Sequence, residues 1–385
     1  MDLAFDEEGV QRVGVDLDAR LEGDLVEARG LVVLPGMVDA HVHFRDFREA
    51  HKEDWGTGGR AAVAGGVTTV LDMPNNDPPA VTPERLREKR RRAERAPVDF
   101  GLFAGITPEN VKALDKLARE PRVVGFKLYM GETTGGLVIA RRSLQKEIFR
   151  RVAETGRVLA VHCQRPGHPE AQDVEVALDF ALNTGVKLHL CHLTTRAGVE
   201  LAYAAKRDGV DVTLETCPHY LYFTERDARA RGAWLKVNPP LASPEDRDFL
   251  WEALAEGLID VLASDHAPHT PEEKARPWER APFGLPGVET TLPLMLDAVN
   301  KGRLTLERLV EVFSKRPAER FGLAPKGRIV EGGPADLVLV DLSQRARVER
   351  SRLQTKCGWS PYEGVELQGW PVKTIVGGKP VFAGP

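Results

Sequence analysis

From residue 30 onward, short apolar runs alternate with longer stretches in which apolar residues recur every third or fourth position. The runs have the length and β-branched content of buried strands, and the longer stretches have the period of amphipathic helices. Strands are predicted over residues 34–43, 67–74, 100–106, 123–130, 158–163, 187–194, 212–217 and 261–266. Helical segments such as PENVKALDKLARE, DVEVALDFALNT, RAGVELAYAAKRDG and SPEDRDFLWEALAEGL fall between them. This alternation predicts an α/β chain, a (β/α)8 TIM-type barrel over residues 37–325. A doubly wound open sheet would want a Gly-rich phosphate loop after its first strand, and none is present. The two ends break the pattern: residues 1–36 and 326–385 carry short β-like segments and turn signals. They predict a small β-sandwich module drawn from both termini, with Gly332-Gly333-Pro334 and Gly377-Gly378 as hairpin turns.

Chemistry in such a barrel gathers at the carboxyl ends of the strands. His41 and His43 close the first strand, two residues apart and so on one face, with Asp39 before them. Lys127 lies in the fourth strand, His162 ends the fifth, His192 the sixth and Asp265 the eighth. Each is costly to bury alone, and singly His162 or His192 reads as well as a satisfied core histidine. Together at one end of one barrel they read as a site. Four imidazoles and a carboxylate suit Zn²⁺, and the surplus of ligands implies two ions. A protonated Lys127 beside two dications would be repelled, so a neutral amine is expected there. Such an amine can add CO₂ to form a carbamate, an anionic ligand able to bridge two metals.

These residues stand in motifs that resemble the cyclic amidohydrolases, and among them the dihydroorotases. DAHVHFR followed by KEDWGTGGRAAVAGGVTTVLDMPN is similar to the first two barrel units of that family. GFKLYMGET resembles its carbamylated-lysine strand, and KVNPPL, ASDHAPHT and FGLPGVET resemble further family motifs, so the likeness covers about residues 34–320. The resemblance implies one zinc on His41, His43, Lys127 and Asp265, and the other on Lys127, His162 and His192. It also implies a shared hydroxide as nucleophile and Asp265 as proton shuttle. Arg45 follows His43 on the same face and can grip a carboxylate with its fork. By resemblance Asn75 and His269 join it, Asn238 and the backbone near Pro286 and Gly287 bind the ring amides, and Thr133 sits in a mobile substrate loop. The turn after Arg45 is expected to differ from the family, because HFRDFRE stands where many members read HLREPG.

The implied reaction is the reversible closure of N-carbamoyl-L-aspartate to L-dihydroorotate in de novo pyrimidine synthesis. A homodimer is a family-level expectation, while the sequence leaves association with aspartate transcarbamoylase open. Some family members have lost their metal ligands and act only as scaffolds for that partner, whereas here every ligand position is filled. Allantoinase and hydantoinase are the nearest alternatives, but their substrates would leave Arg45 unpaired. Cys191 and Glu215 match a third metal position proposed for animal-type members. Cys191 adjoins His192, however, and on a regular strand would face away from the barrel interior as a buried thiol. His51, His168, His189 and His219 are read as structural or unassigned, and His266 as orienting a neighbour.

Composition narrows the partners. The 385 residues are 42% hydrophobic and 29% charged, with a net charge of −4, which gives no field for nucleic acid. The basic run RLREKRRRAER (85–95) reads as the solvated face of a helix begun at Thr82-Pro83. Four cysteines without CxxC spacing and no signal peptide point to the cytoplasm. No apolar stretch approaches the roughly 20 residues of a membrane span.

Overall fold

The computed structural model describes residues 2–15, 17, 26–131, 136–165 and 167–384. An N-terminal hairpin, β1 (Asp2–Asp6) and β2 (Gly9–Gly14), precedes β3 (Val32–Pro35). Eight parallel strands follow: β4 (Met37–Val42), β5 (Val67–Asp72), β6 (Asp99–Gly105), β7 (Val123–Tyr129), β8 (Val158–His162), β9 (Lys187–Leu190), β10 (Val212–Thr216) and β11 (Val261–Leu262). They lie side by side in chain order, and a bridge between Val42 and His266 joins the two ends into the expected (β/α)8 barrel. Inward residues such as Ala40, Leu71, Phe103, Ala160 and Val261 fill its interior, and Phe321 packs edge-to-face on Phe103. The larger apolar cluster lies between strands and helices.

Helix boundaries follow local chemistry. Thr195 caps the helix Arg196–Arg207 by accepting from the amide of Gly198, and Lys206 and Arg207 occupy its last turn. Ser243 and Asp246 form a capping box on Pro244–Glu256, which stops at Gly257 in a left-handed conformation, φ 93°.

The remaining strands, β12 (Leu337–Arg347), β13 (Glu366–Val376) and β14 (Lys379–Ala383), build an antiparallel sheet with β3. Its register pairs Leu337 with Pro35 and Val340 with Val32. Leu3, Phe5 and Val33 pack with Leu337, Leu339 and Ile375, so strands from both ends share one apolar layer. The predicted first strand, 34–43, is therefore two strands in two sheets. They part at Gly36, where a Cβ would lie 2.1 Å from the Thr68 hydroxyl. Gly377-Gly378 turns β13 into β14 as expected. Gly332-Gly333-Pro334 joins no strands; instead Val10 bonds to the backbone of Gly332 and Gly333. The segment 354–357 is tied to the barrel by Glu289, which accepts from Gln354 N at 2.9 Å, and by Glu53, which accepts from Lys356 N at 3.2 Å. Among the described residues no helix is long and apolar enough to cross a membrane.

Candidate active site

A pocket of about 470 Å³, counting its open mouth, opens at the carboxyl ends of the strands. It is lined by His41, His43, Arg45, Asn75, Lys127, Tyr129, His162, His192, Val237, Asn238, Asp265, Ala267, Phe283 and Gly284. All six residues named as metal ligands from the sequence meet there. His41 and His43 aim Nε2 at one Asp265 oxygen, at 3.4 and 3.1 Å. Their other nitrogens are held from behind: His41 Nδ1 lies 2.8 Å from Glu215 and His43 Nδ1 2.7 Å from Asn75 Oδ1. Such outer partners accept the Nδ1 proton and orient each ring so that Nε2 is the nitrogen turned toward the pocket. Asn75 thus reaches the pocket as a support for His43. Glu215 also bonds His189 Nε2 at 2.9 Å and the His192 amide at 3.0 Å. The sequence reading named Glu215 only beside Cys191 and did not find it as this hub; its signal is a carboxylate at the end of a barrel strand.

Two of these pocket residues depend on backbone that non-glycine residues rarely adopt. β9 stops at Leu190 and His192 has φ 40°; β11 stops at Leu262 and Asp265 has φ 45°. Strain of this kind persists where surrounding structure over-determines it. It also overturns the expectation for Cys191. Strand alternation does not carry through to His192, so Cys191 packs inside the barrel with its Sγ 2.9 Å from Lys127 Nζ. His41, Cys191 and Glu215 bring ligand atoms within 4.8 Å of one another.

Burial sets most of the protonation states. It pushes His43 down to about 4, and with the help of Lys127 it pushes His162 to about 3; His192 is also well below its ordinary value. At His41 burial and Lys127 oppose the charge, but Glu215 and Asp265 prevail and hold it up at about 10. Burial would raise Asp265, but His41 and His43 keep it well below the usual carboxylate range. The donor set fits divalent ions. Ligand atoms of His41, His43 and Asp265 converge within 4.8 Å, neutral His162 and His192 stand 3.0 Å apart, and the buried His192 Nδ1 has no hydrogen-bond partner.

Arg45 enters the pocket by a turn rather than by strand alternation. Arg45, Asp46 and Phe47 have φ of 50°, 53° and 49°. Asn76 donates to the Arg45 carbonyl, and Arg92 binds Asp46 at 3.0 Å and lies over the Phe47 ring. Fully buried Lys89 pairs with Asp72 and donates to Asn76 Oδ1 at 2.7 Å. The basic run is therefore not simply a solvated face; Lys89 and Arg92 reach inward to hold this turn. The Arg45 guanidinium, 2% exposed, donates from Nε to the Pro268 carbonyl at 3.2 Å and lies 3.0 Å from His269 Nε2. No ion pair among the described residues includes it.

The other expected substrate contacts divide. Asn238 lines the pocket, 3.3 Å from His162 Nε2. His269 sits behind Arg45, 2.8 Å from the Phe283 carbonyl, and burial pushes it to about 3. Gly287 is engaged internally: its amide donates to His266 Nδ1 at 3.1 Å and its carbonyl accepts from Thr290 and Thr291. Neither it nor Pro286 lines the pocket. His266 Nδ1 thus accepts from the Gly287 amide. Thr133 lies outside the described residues.

Histidines and a carboxylate that could hold a metal ion stand at the mouth of a parallel barrel. The chain belongs to the amidohydrolase family, whose description matches residues 32–381. It is 38% identical to a dihydroorotase of Halobacterium salinarum, across 100% of this chain and 93% of that one. It is 39% identical to an allantoinase of Deinococcus radiodurans, across 93% and 86%. Among solved structures, the L-hydantoinase (dihydropyrimidinase) of Arthrobacter aurescens superposes with a TM-score of 0.92 at 34% identity, covering 98% of this chain and 91% of that one. With a dihydroorotase, an allantoinase and a hydantoinase as relatives, this chain is a cyclic amide hydrolase.

Proposed function

We propose that the protein is a dihydroorotase, interconverting N-carbamoyl-L-aspartate and L-dihydroorotate. The observation that carries this reading is Arg45, a buried guanidinium in the pocket wall with no carboxylate partner among the described residues. Leaving such a charge unmatched is costly, and a substrate carboxylate would match it. Allantoin and hydantoin rings have none.

The residues that would hold two zinc ions are His41, His43, Lys127 as a carbamate, and Asp265 for one, and Lys127, His162 and His192 for the other. Bound there, the ions would polarise the ring carbonyl and activate water. Arg45 orients the substrate through its carboxylate, and Asn238 is placed to bond a ring amide. Asp265, facing both His41 and His43, would receive a proton from the attacking water and return it to the departing ring nitrogen. Ring opening creates a carboxylate and releases a proton, so acid favours closure.

Steady-state assays of the zinc-loaded enzyme with dihydroorotate, allantoin and dihydrouracil test the reading. Dihydroorotate is expected to be turned over fastest. Arg45→Ala is expected to lower kcat/KM for it by about 100-fold, the worth of a charge-assisted bidentate bond of roughly 3 kcal/mol. Faster opening of allantoin, or unchanged dihydroorotate kinetics in Arg45→Ala, would overturn it.

A further inference from the structure

Lys274 takes no part in the site as described above. It ends the short helix Pro271–Lys274, is fully buried, and donates from Nζ to three backbone carbonyls: Lys236 at 3.1 Å, Pro282 at 3.1 Å and Gly284 at 3.0 Å. Three acceptors occupy all three N–H bonds of an ammonium, whereas a neutral amine would turn its lone pair onto one of them. No ion pair among the described residues includes Lys274. Its neighbour Glu273 turns elsewhere, toward Lys52 at 3.3 Å and His269 at 3.5 Å. Burial, with the charges of Lys236 and Arg45, pushes Lys274 down to about 7, so the cation is held at a cost.

Gly284, whose carbonyl Lys274 holds, lines the pocket beside Phe283. The Phe283 carbonyl meets His269, which lies against Arg45. One side of the pocket therefore carries three buried basic side chains, Arg45 in the wall and Lys236 and Lys274 behind it. Neither Arg45 nor Lys274 meets a carboxylate among the described residues. Glu49, Asp265 and Asp72 act on Arg45 only at a distance, buried charge so poorly matched is destabilising, and an anion bound in the pocket would relieve it.

We propose that Lys274 is a specificity residue, whose charge behind the Gly284 wall selects carboxylate-bearing rings over neutral rings of the same shape. The inference rests on the pocket being the cyclic-amide site and deepens that reading by assigning the selection of an anion to a residue that does not touch it.

The test uses zinc-loaded wild type, Lys274→Met and Lys274→Gln, with inhibition constants for orotate and for uracil, the same ring without its carboxylate. Met removes charge and donors together; Gln keeps two donors, so it serves if the Met protein fails to fold. Zinc content and the uracil constant report the integrity of the pocket. The orotate constant is expected to rise by about tenfold or more while that of uracil stays within about twofold, as for one charge acting across a protein wall of effective dielectric about 20. Equal factors for both rings would overturn the proposal and leave Lys274 a structural clasp. A wild type that opens allantoin or dihydrouracil faster than dihydroorotate would instead remove the dihydroorotase reading, with the charge comparison in the same pocket still decisive for Lys274.

Discussion

His41 differs from the other pocket imidazoles because two carboxylates face it, Glu215 at one nitrogen and Asp265 at the other. They outweigh burial and hold it protonated to about 10, whereas His43 and His162 are neutral above about 4 and 3. An ion that takes His41 Nε2 as a ligand must displace that proton. Zinc added to metal-free protein at pH 7.5 is therefore expected to release about one proton from this residue, read by calorimetry in buffers of different ionisation enthalpy. Glu215→Gln removes one of the two carboxylates that hold the proton, and the release is expected to fall. Unchanged release in that variant would refute the assignment. The pairing of His41 and His43 was legible from their spacing, even though the pairing of β4 with β5 shifts register between Asp39 and Val42. What holds them was not, because Glu215 and Asn75 come from distant parts of the chain.

At the scale of elements, most strands and helices were legible because each repeats one chemistry: an apolar run, a turn, a capped amphipathic helix. What escaped were places where the backbone leaves its regular path without a glycine to announce it. His192, Asp265 and the turn Arg45 to Phe47 all have positive φ, and hydrophobic periodicity carries no trace of that. Cys191 was turned the wrong way for this reason. The same blindness applied to the helix Pro83–Ala93, whose many arginines mask one inward lysine. Lys89→Met is expected to leave Asp72 buried and unpaired and to cost about 3–5 kcal/mol of stability. It should also loosen the Arg45 turn through Asn76, so the melting temperature and the KM for a carboxylated substrate are both expected to worsen. Adding Asp72→Asn should recover part of the stability. A Lys89→Met protein as stable as wild type would show that the pair holds nothing.

Across the whole molecule, the barrel and the sheet from both ends are joined by carboxylates as well as by apolar packing. Glu289 accepts backbone bonds from the 354–357 segment, yet burial raises it to about 7 from an unfolded value of about 4.3. A carboxyl group raised on folding contributes stability that is fully present below the unfolded value and is lost as pH rises through the folded one. Glu289→Gln is therefore expected to melt near wild type at pH 4 and to gain on it between about pH 4.5 and 7. The gain should then level off at the order of a few kcal/mol. A constant offset across that range would contradict the assignment. The β3 to β12 pairing has a further consequence, one of timing. Pro35 finds its partner only in Leu337, so on the ribosome β3 waits as an open edge while the barrel between them is synthesised. At ordinary elongation rates that wait is on the order of tens of seconds. A strand made after the barrel thus closes on one made before it, and a chain released early would expose that edge to its neighbours.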